Sequence, residues 1–224
     1  MDSNILLIDK PKGITSFDVI RILRKKLGIR KMGHAGTLDP MASGLMIIGI
    51  NEGTKKMSEF LKLPKVYVAN VLLGKKTDTG DMEGRVIEEA DVPEISEEKI
   101  REVVAGMVGK HSLHVPMYSA IKIGGRPLYK LARKKEKGSE LTEEEKNIAP
   151  PIKEMEVISA RLLEIHCQGR TLTMKIEMEV SSGTYIRSLG EELGRRLGYP
   201  ATLAGLRRTK IGEFLIEDAM SLEK

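Results

Sequence analysis

Apolar residues recur along this chain at two spacings, near 3.6 and near 2, and the switches between them predict its elements. Asn4 to Ile8 is a short apolar run stopped by Asp9-Lys10-Pro11-Lys12-Gly13, so a strand is expected to end in a turn. Val19, Ile20, Ile22, Leu23 and Leu27 then fall at helical spacing, with Ser16 as the expected cap and Gly28 after the last turn. Leu45 to Ile50 reads as a buried strand, and Gly53 to Leu63 as a helix with Met57, Phe60 and Leu61 on one face. Val66 to Leu73 and Arg85 to Glu88 read as a hairpin-like pair across the turn residues Asp78, Gly80, Asp81 and Gly84.

Ser96 opens a helix whose inward stripe is Ile100, Val103, Val104, Met107 and Val108, through to Gly109. Met117 to Ile123 is a strand candidate, Gly124-Gly125 a turn, and Pro127 the opening of a helix through Lys135. Glu136 to Pro151 is charged and poor in large apolar residues, which predicts a loop or an exposed helical excursion. Two long strands, Met155 to Cys167 and Thr171 to Val180, flank a turn at Gln168-Gly169. A helix from Tyr185 to Leu197 then precedes a last strand, Leu203 to Ile211. Strands in hairpin order, interrupted by a few helices, argue for an α+β fold around a mixed, mostly antiparallel sheet flanked by helices and loops. No Gly-rich phosphate loop joins a strand to a helix, which disfavours a doubly wound nucleotide fold.

Charge adds a direction to this picture. The 37 Lys and Arg against 32 Asp and Glu give a net +5, and a pI near 9.1 favours a polyanionic partner. The cations cluster at Arg24-Lys25-Lys26, Arg30-Lys31, Lys130 to Lys135 and Arg207-Arg208-Thr209-Lys210, a segregation suited to one basic face. The lone Cys167 excludes an internal disulfide, fits a reducing compartment and reads as a small buried strand residue. No run approaches a membrane span, so a soluble, cytoplasmic chain with no membrane partner is expected. His111 and His114 lack the companions of a metal site and read as structural.

The segment Lys31 to Gly44 is the least suited to a regular element. Gly33 and Gly36 permit conformations or close approaches that a Cβ forbids, while Pro40 biases Asp39 towards an extended backbone. This is a shaped mount for one carboxylate. Taken alone it names no reaction, and a single Asp-Pro in a loop is most often a turn.

Gly33-His34-Ala35-Gly36-Thr37-Leu38-Asp39-Pro40-Met41-Ala42-Ser43-Gly44 resembles the catalytic motif of the TruB family of tRNA pseudouridine synthases (tRNA pseudouridine-55 synthases). Asp9 to Ser16 resembles the family's N-terminal signature, Lys65-Val66-Tyr67 its tyrosine strand, and Val115 to Lys122 its central segment. Gly183-Thr184-Tyr185-Ile186-Arg187-Ser188 and Leu206-Arg207-Arg208 complete the set in order. The resemblance implies the pseudouridine synthase catalytic fold and an isomerase that breaks the N-glycosidic bond of a uridine in the tRNA T loop. The base is then rotated and rejoined to the sugar through C5, without cofactor or metal. By matching position, Asp39 is the essential carboxylate, whether it attacks the sugar, attacks the base or assists proton removal from the ribose. Arg187 pairs with it and keeps it ionised, and Tyr67 is the stacking platform for the extruded base.

Further substrate contacts follow from the same resemblance. His34 contacts RNA near the flipped nucleotide, Tyr185 is a second pocket group, Leu206 an apolar wall, and Lys10 and Pro11 shape the pocket margin. Gly33 belongs to the loop, and Lys31 and Arg208, with Arg30, Lys130 and Arg133, are expected on phosphates. Members of the family commonly continue into a PUA domain. Here residues 1–224 are expected to be a single catalytic domain with no PUA domain, acting as a monomer on tRNA without guide RNA. Guide-dependent relatives and a tRNA-folding chaperone are the competing readings, and Glu140 to Lys146 is more acidic than the family's usual connection.

Overall fold

The computed structural model describes residues 4–136, 138–140, 142, 145 and 148–222. Strand β1 (Ile5–Lys10) leads through the Pro11–Gly13 turn into α1 (Ser16–Leu27), which Gly28 ends with φ +69°. The cap is Thr15, not Ser16. Thr15 and Asp18 exchange side-chain and backbone bonds in a capping box, which frees the Ser16 hydroxyl for a tertiary contact. A short strand, β2 (Met32–His34), occupies part of the segment expected to be irregular, because it finds a partner in β3 (Ser43–Ile50). The expected Gly53–Leu63 helix begins as a 3₁₀ turn over Asn51–Lys56 and becomes α2 only at Met57–Lys62.

Strand β4 (Lys65–Leu73) does not pair with the segment after Asp81. The hairpin there is formed by β5 (Lys75–Thr77) and β6 (Val86–Glu89), whose four residues are all exposed. β4 lies instead between β11 (Thr171–Val180) and β12 (Ala201–Ile211), antiparallel to both. The correction is physical: the nine-residue β4 finds backbone partners along its whole length in β11 and β12, which a four-residue exposed strand cannot supply. Helix α3 (Glu97–Ala105) is capped by Ser96 and stops short of Gly109, where an unexpected strand, β7 (Gly109–His114), begins. His111 is buried and His114 exposed, on opposite faces of that strand, each bonded to a backbone carbonyl.

Of the Met117–Ile123 strand candidate only β8 (Lys122–Ile123) is extended, paired with β9 (Arg126–Pro127) ahead of α4 (Leu128–Glu136). Within the Glu136–Pro151 excursion, 137, 141, 143, 144, 146 and 147 lie outside the described residues; Glu145 is fixed by Arg126 and Lys134 at 2.8 and 2.7 Å. β10 (Ile152–Gln168) and β11 form the long hairpin. Its tip projects beyond the core, so Cys167 is exposed rather than buried. Helix α5 (Ile186–Leu197), β12, β13 (Phe214–Leu215) and β14 (Met220–Ser221) complete the chain.

The main sheet runs β14-β1-β3-β12-β4-β11-β10-β7, and only the β1–β14 and β3–β12 contacts are parallel. The expected mixed, mostly antiparallel α+β architecture is what forms. One face of β4 and β11 is buried residue by residue, with α5 packed on β12 and α3 on β10. Two glycines allow these close approaches. A Cβ on Gly194 of α5 would sit 2.3 Å from that of Ala201, and one on Gly44 would sit 2.2 Å from the Arg208 carbonyl oxygen. Gly44 also has φ +114°. Gly44→Ala is therefore expected to destabilise the fold by about 3 kcal/mol, combining overpacking with a left-handed backbone. An unchanged denaturation midpoint would contradict that close packing. Among the described residues no helix is long and apolar enough to cross a membrane.

Candidate active site

Three backbone anchors hold the loop between β2 and β3. The Ser16 hydroxyl accepts from the Leu38 N–H at 2.8 Å and donates to the Leu38 carbonyl at 3.0 Å, so α1 grips the residue before Asp39 from both sides. The Pro40 carbonyl, just after it, accepts from the Gly13 N–H at 2.8 Å and from Lys10 Nζ at 3.4 Å. Arg208 supplies the third anchor, donating through Nε to Leu45 and through a terminal nitrogen to Gly36, at 2.7 and 3.2 Å. Net bonds of about 1 kcal/mol each are modest singly, but together they leave the Asp39 backbone little freedom.

Arg187 reaches that carboxylate from the first turn of α5. Its Nε lies 3.0 Å from Asp39 Oδ2, while its terminal nitrogens donate to the Thr79 and Tyr118 carbonyls at 2.8 Å each. The guanidinium side chain is 5% exposed and that of Asp39 34%. Arg187 is thus a fixed cation with each of its three nitrogens engaged, and Asp39 is the more exposed member of the pair. Among the described residues no partner meets Asp39 Oδ1.

Electrostatics refine the expected role of this pair. Burial raises the Asp39 pKa, Arg187 opposes it, Asp81 adds to the rise, and burial prevails. Arg187 holds the carboxylate in place without restoring ordinary acidity. For stability the raised value favours the protonated folded form. That contribution is complete below the ordinary 3.8 and is lost as pH rises through the folded value. Activity runs the other way if the ionised form reacts. Its acid limb is expected above 3.8, and a pH–rate profile flat down to that value would rule out Asp39 as the titrating group.

A cavity of about 330 Å³ opens in front of Asp39, lined also by Pro40, Arg187, Tyr118, Tyr129 and the Asp78–Arg85 turn. Thr79 and the Glu83 N–H fix the Asp81 carboxylate there, at 2.7 and 3.1 Å. Five carboxylates, Asp39, Asp78, Asp81, Glu83 and Glu136, line it against the guanidiniums of Arg85, Arg133 and Arg187. This wall was not anticipated. Asp78, Gly80, Asp81 and Gly84 carry the composition of any turn, and it is the non-local bridge of Asp81 to Leu203 and the Arg187 bond to the Thr79 carbonyl that tie them to the site. Tyr118 and Tyr129 were missed as well; Tyr118 lies in the matched central segment, which was the available signal.

The other expected residues divide. Tyr67 is 8% exposed, opposite Arg208 and Met178 in the sheet, and belongs to the apolar cluster that includes Leu38, Ile186 and Leu206. It borders the loop from the core and does not line the cavity. Leu206 is core in the same way. Tyr185 caps the start of α5, half-buried, with Lys153 Nζ 5.9 Å from its ring centre. His34 sits on β2, its Nδ1 buried without a hydrogen-bond partner, and burial followed by Arg208 lowers its pKa.

Lys10 is wholly buried, its ammonium spent on the Pro11, Ile14 and Pro40 carbonyls, and burial brings its pKa down to about 8. Pro11 faces a separate cavity beside Arg207. Gly33 needs no glycine-specific space, since a Cβ there would make an ordinary 3.8 Å contact; Gly36, at φ +106°, and Gly44 are the positions that require one. Arg208 is corrected outright: a side chain 1% exposed and bonded to carbonyls is an internal brace, not a phosphate contact. Arg30, Lys31, Lys130 and Arg133 are exposed, Lys31 beside Glu52 at 3.6 Å.

The profile of the TruB family pseudouridylate synthase N-terminal domain matches residues 24–186, which include the Asp39 loop and the cavity-lining turn. The chain belongs to the TruB family. Relatives of this TruB-family chain include the tRNA pseudouridine synthase B of Endomicrobium trichonymphae, 42% identical over 96% of this chain and 88% of the relative. That of Opitutus terrae is 41% identical over 98% and 85%. Among solved structures, a chain of an H/ACA RNP bound to a substrate RNA containing 2′-deoxyuridine superposes with TM-score 0.68 at 27% identity. A Cbf5-Nop10-Gar1 complex gives 0.69 at 26%. Each match covers 98% of this chain, which spans about half of those longer chains, 51% and 52%. The family's pseudouridylate synthase fold and enzyme class are therefore those of this chain.

Proposed function

We propose that this TruB-family enzyme converts a uridine of the tRNA T loop to pseudouridine by extruding the base into the Asp39 cavity. The observation that carries the reading is the Asp39–Arg187 pair: one oriented, partly exposed carboxylate on a braced loop, at the mouth of a cavity near the small end of ligand sites, about 300 Å³. Its acidic lining suits a neutral nucleobase and repels phosphate, which selects a flipped base over a stretch of backbone. The net change breaks the N1–C1′ bond and forms C5–C1′, and the C5 proton leaves as N1 regains one. Asp39, which lines the cavity and keeps one carboxylate oxygen free of Arg187, is the group placed to act on the sugar or the base during that exchange.

Tyr118 and Tyr129 supply aromatic surface within the cavity; Tyr67 supports the loop from beneath and needs a side-chain movement to stack on the base. Identity of 41–42% to chains named tRNA pseudouridine synthase B, against 26–27% to the H/ACA and Cbf5 chains, supports a tRNA substrate recognised without a guide RNA. Mapping of pseudouridine on tRNA after incubation with the protein tests the proposal. Product at a T-loop uridine supports it, and bound but unmodified tRNA refutes it.

A further inference from the structure

We propose that the outward face of α1, Phe17 with Arg21 and Arg24, is a second RNA-docking site on which a base outside the reacting nucleotide stacks and an adjacent phosphate is held. The inference rests on the pseudouridine synthase reading above. At about 100° per residue, positions 17, 21 and 24 lie within about 60° of one another around the helix, centred about 115° from the buried stripe Ser16, Val19, Ile20 and Leu23. Phe17 is 57% exposed, and the Arg24 guanidinium carbon stands 5.8 Å from its ring centre. Single exposed apolar residues are ordinary, but an aromatic with one guanidinium beside its ring and a second, exposed one a turn further on is the composition of a base-stacking and phosphate-gripping surface.

Arg24 is half-buried, and its buried Nε has no hydrogen-bond partner among the described residues. Arg21 pairs with Asp18, yet its side chain remains 66% exposed. Charge complementarity argues for RNA over a protein partner. The Asp39 cavity sets five carboxylates against three guanidiniums, a net negative lining that disfavours phosphate, so the backbone is better held beside it. α1 carries Arg21, Arg24, Lys25 and Lys26 against Asp18 alone, with exposed Arg30 and Lys31 following. It is also the element bonded to the catalytic loop, through Ser16 and Leu38, so RNA seated on it is referenced directly to Asp39.

The test is Phe17→Ala and Arg24→Ala in the full chain, measuring tRNA affinity across salt concentrations and the single-turnover rate at saturating tRNA. Phe17→Ala is expected to weaken binding about 5- to 100-fold with the saturated rate and melting temperature unchanged, and Phe17→Trp to restore it. Arg24→Ala is expected to weaken binding and to lower the slope of log affinity against log salt by about 1. Wild-type affinity in Phe17→Ala overturns the proposal. So does a concentration-dependent dimer that the substitution dissolves, since a second copy would then cover this face. A wild-type protein that binds tRNA but forms no pseudouridine refutes the functional reading alone; the affinity of Phe17→Ala still decides the docking site.

Discussion

Asp39→Asn is expected to lower pseudouridine formation by at least about 1,000-fold while leaving tRNA affinity nearly unchanged. The substitution keeps the side chain's volume, and its amide oxygen still accepts from Arg187 Nε, so the loop braces at Leu38, Pro40 and Gly36 are untouched. What is lost is the negative charge of a cavity-lining carboxylate. RNA grip, which depends on cations elsewhere, is unaffected by removal of one negative charge from the opening. Single-turnover assays with a parallel binding titration measure both quantities. Substantial product from Asp39→Asn would mean that another group, with Asp81 the nearest candidate by lining, does the chemistry.

Arg187→Ala combines two losses. It leaves the partly exposed Asp39 carboxylate without its cation and the Thr79 and Tyr118 carbonyls without their donors, a loss of stability smaller than the ~3–5 kcal/mol of a fully buried pair because solvent reaches Asp39. The rate is expected to collapse with it. Arg187→Lys separates the effects because it keeps the charge, but one ammonium cannot reproduce the planar three-way contact to Asp39, Thr79 and Tyr118. That variant is expected to fold, to bind tRNA like the wild type and to lose most of its saturated rate. The guanidinium is buried beneath Asp39, so an equal loss of affinity and rate would show that it contacts RNA instead.

These two residues stand 148 positions apart in the chain (187 − 39), and periodicity alone does not connect them. The resemblance did, because the Gly33–Gly44 and Gly183–Ser188 motifs are read as parts of one site. Local physics was also legible: the glycine-shaped loop, the helix ended by Gly28 and the β10–β11 hairpin all follow from turn chemistry and spacing. What escaped depends on non-local partners. β4 pairs with strands roughly 100 to 145 residues later, which no neighbouring turn signals. Thr15 and Ser16 are equally good caps by type; the site decides, because Ser16 is needed at Leu38. Arg208 looks like a surface cation in a basic run, and only the close β3–β12 approach at Gly44 turns it inward.

Site mapping on the product RNA tests the central claim most directly. Unmodified tRNA incubated with the purified chain is expected to gain pseudouridine at one uridine of the T loop with the wild type and none with Asp39→Asn. Tight tRNA binding by the wild type with no pseudouridine at that loop would contradict the account.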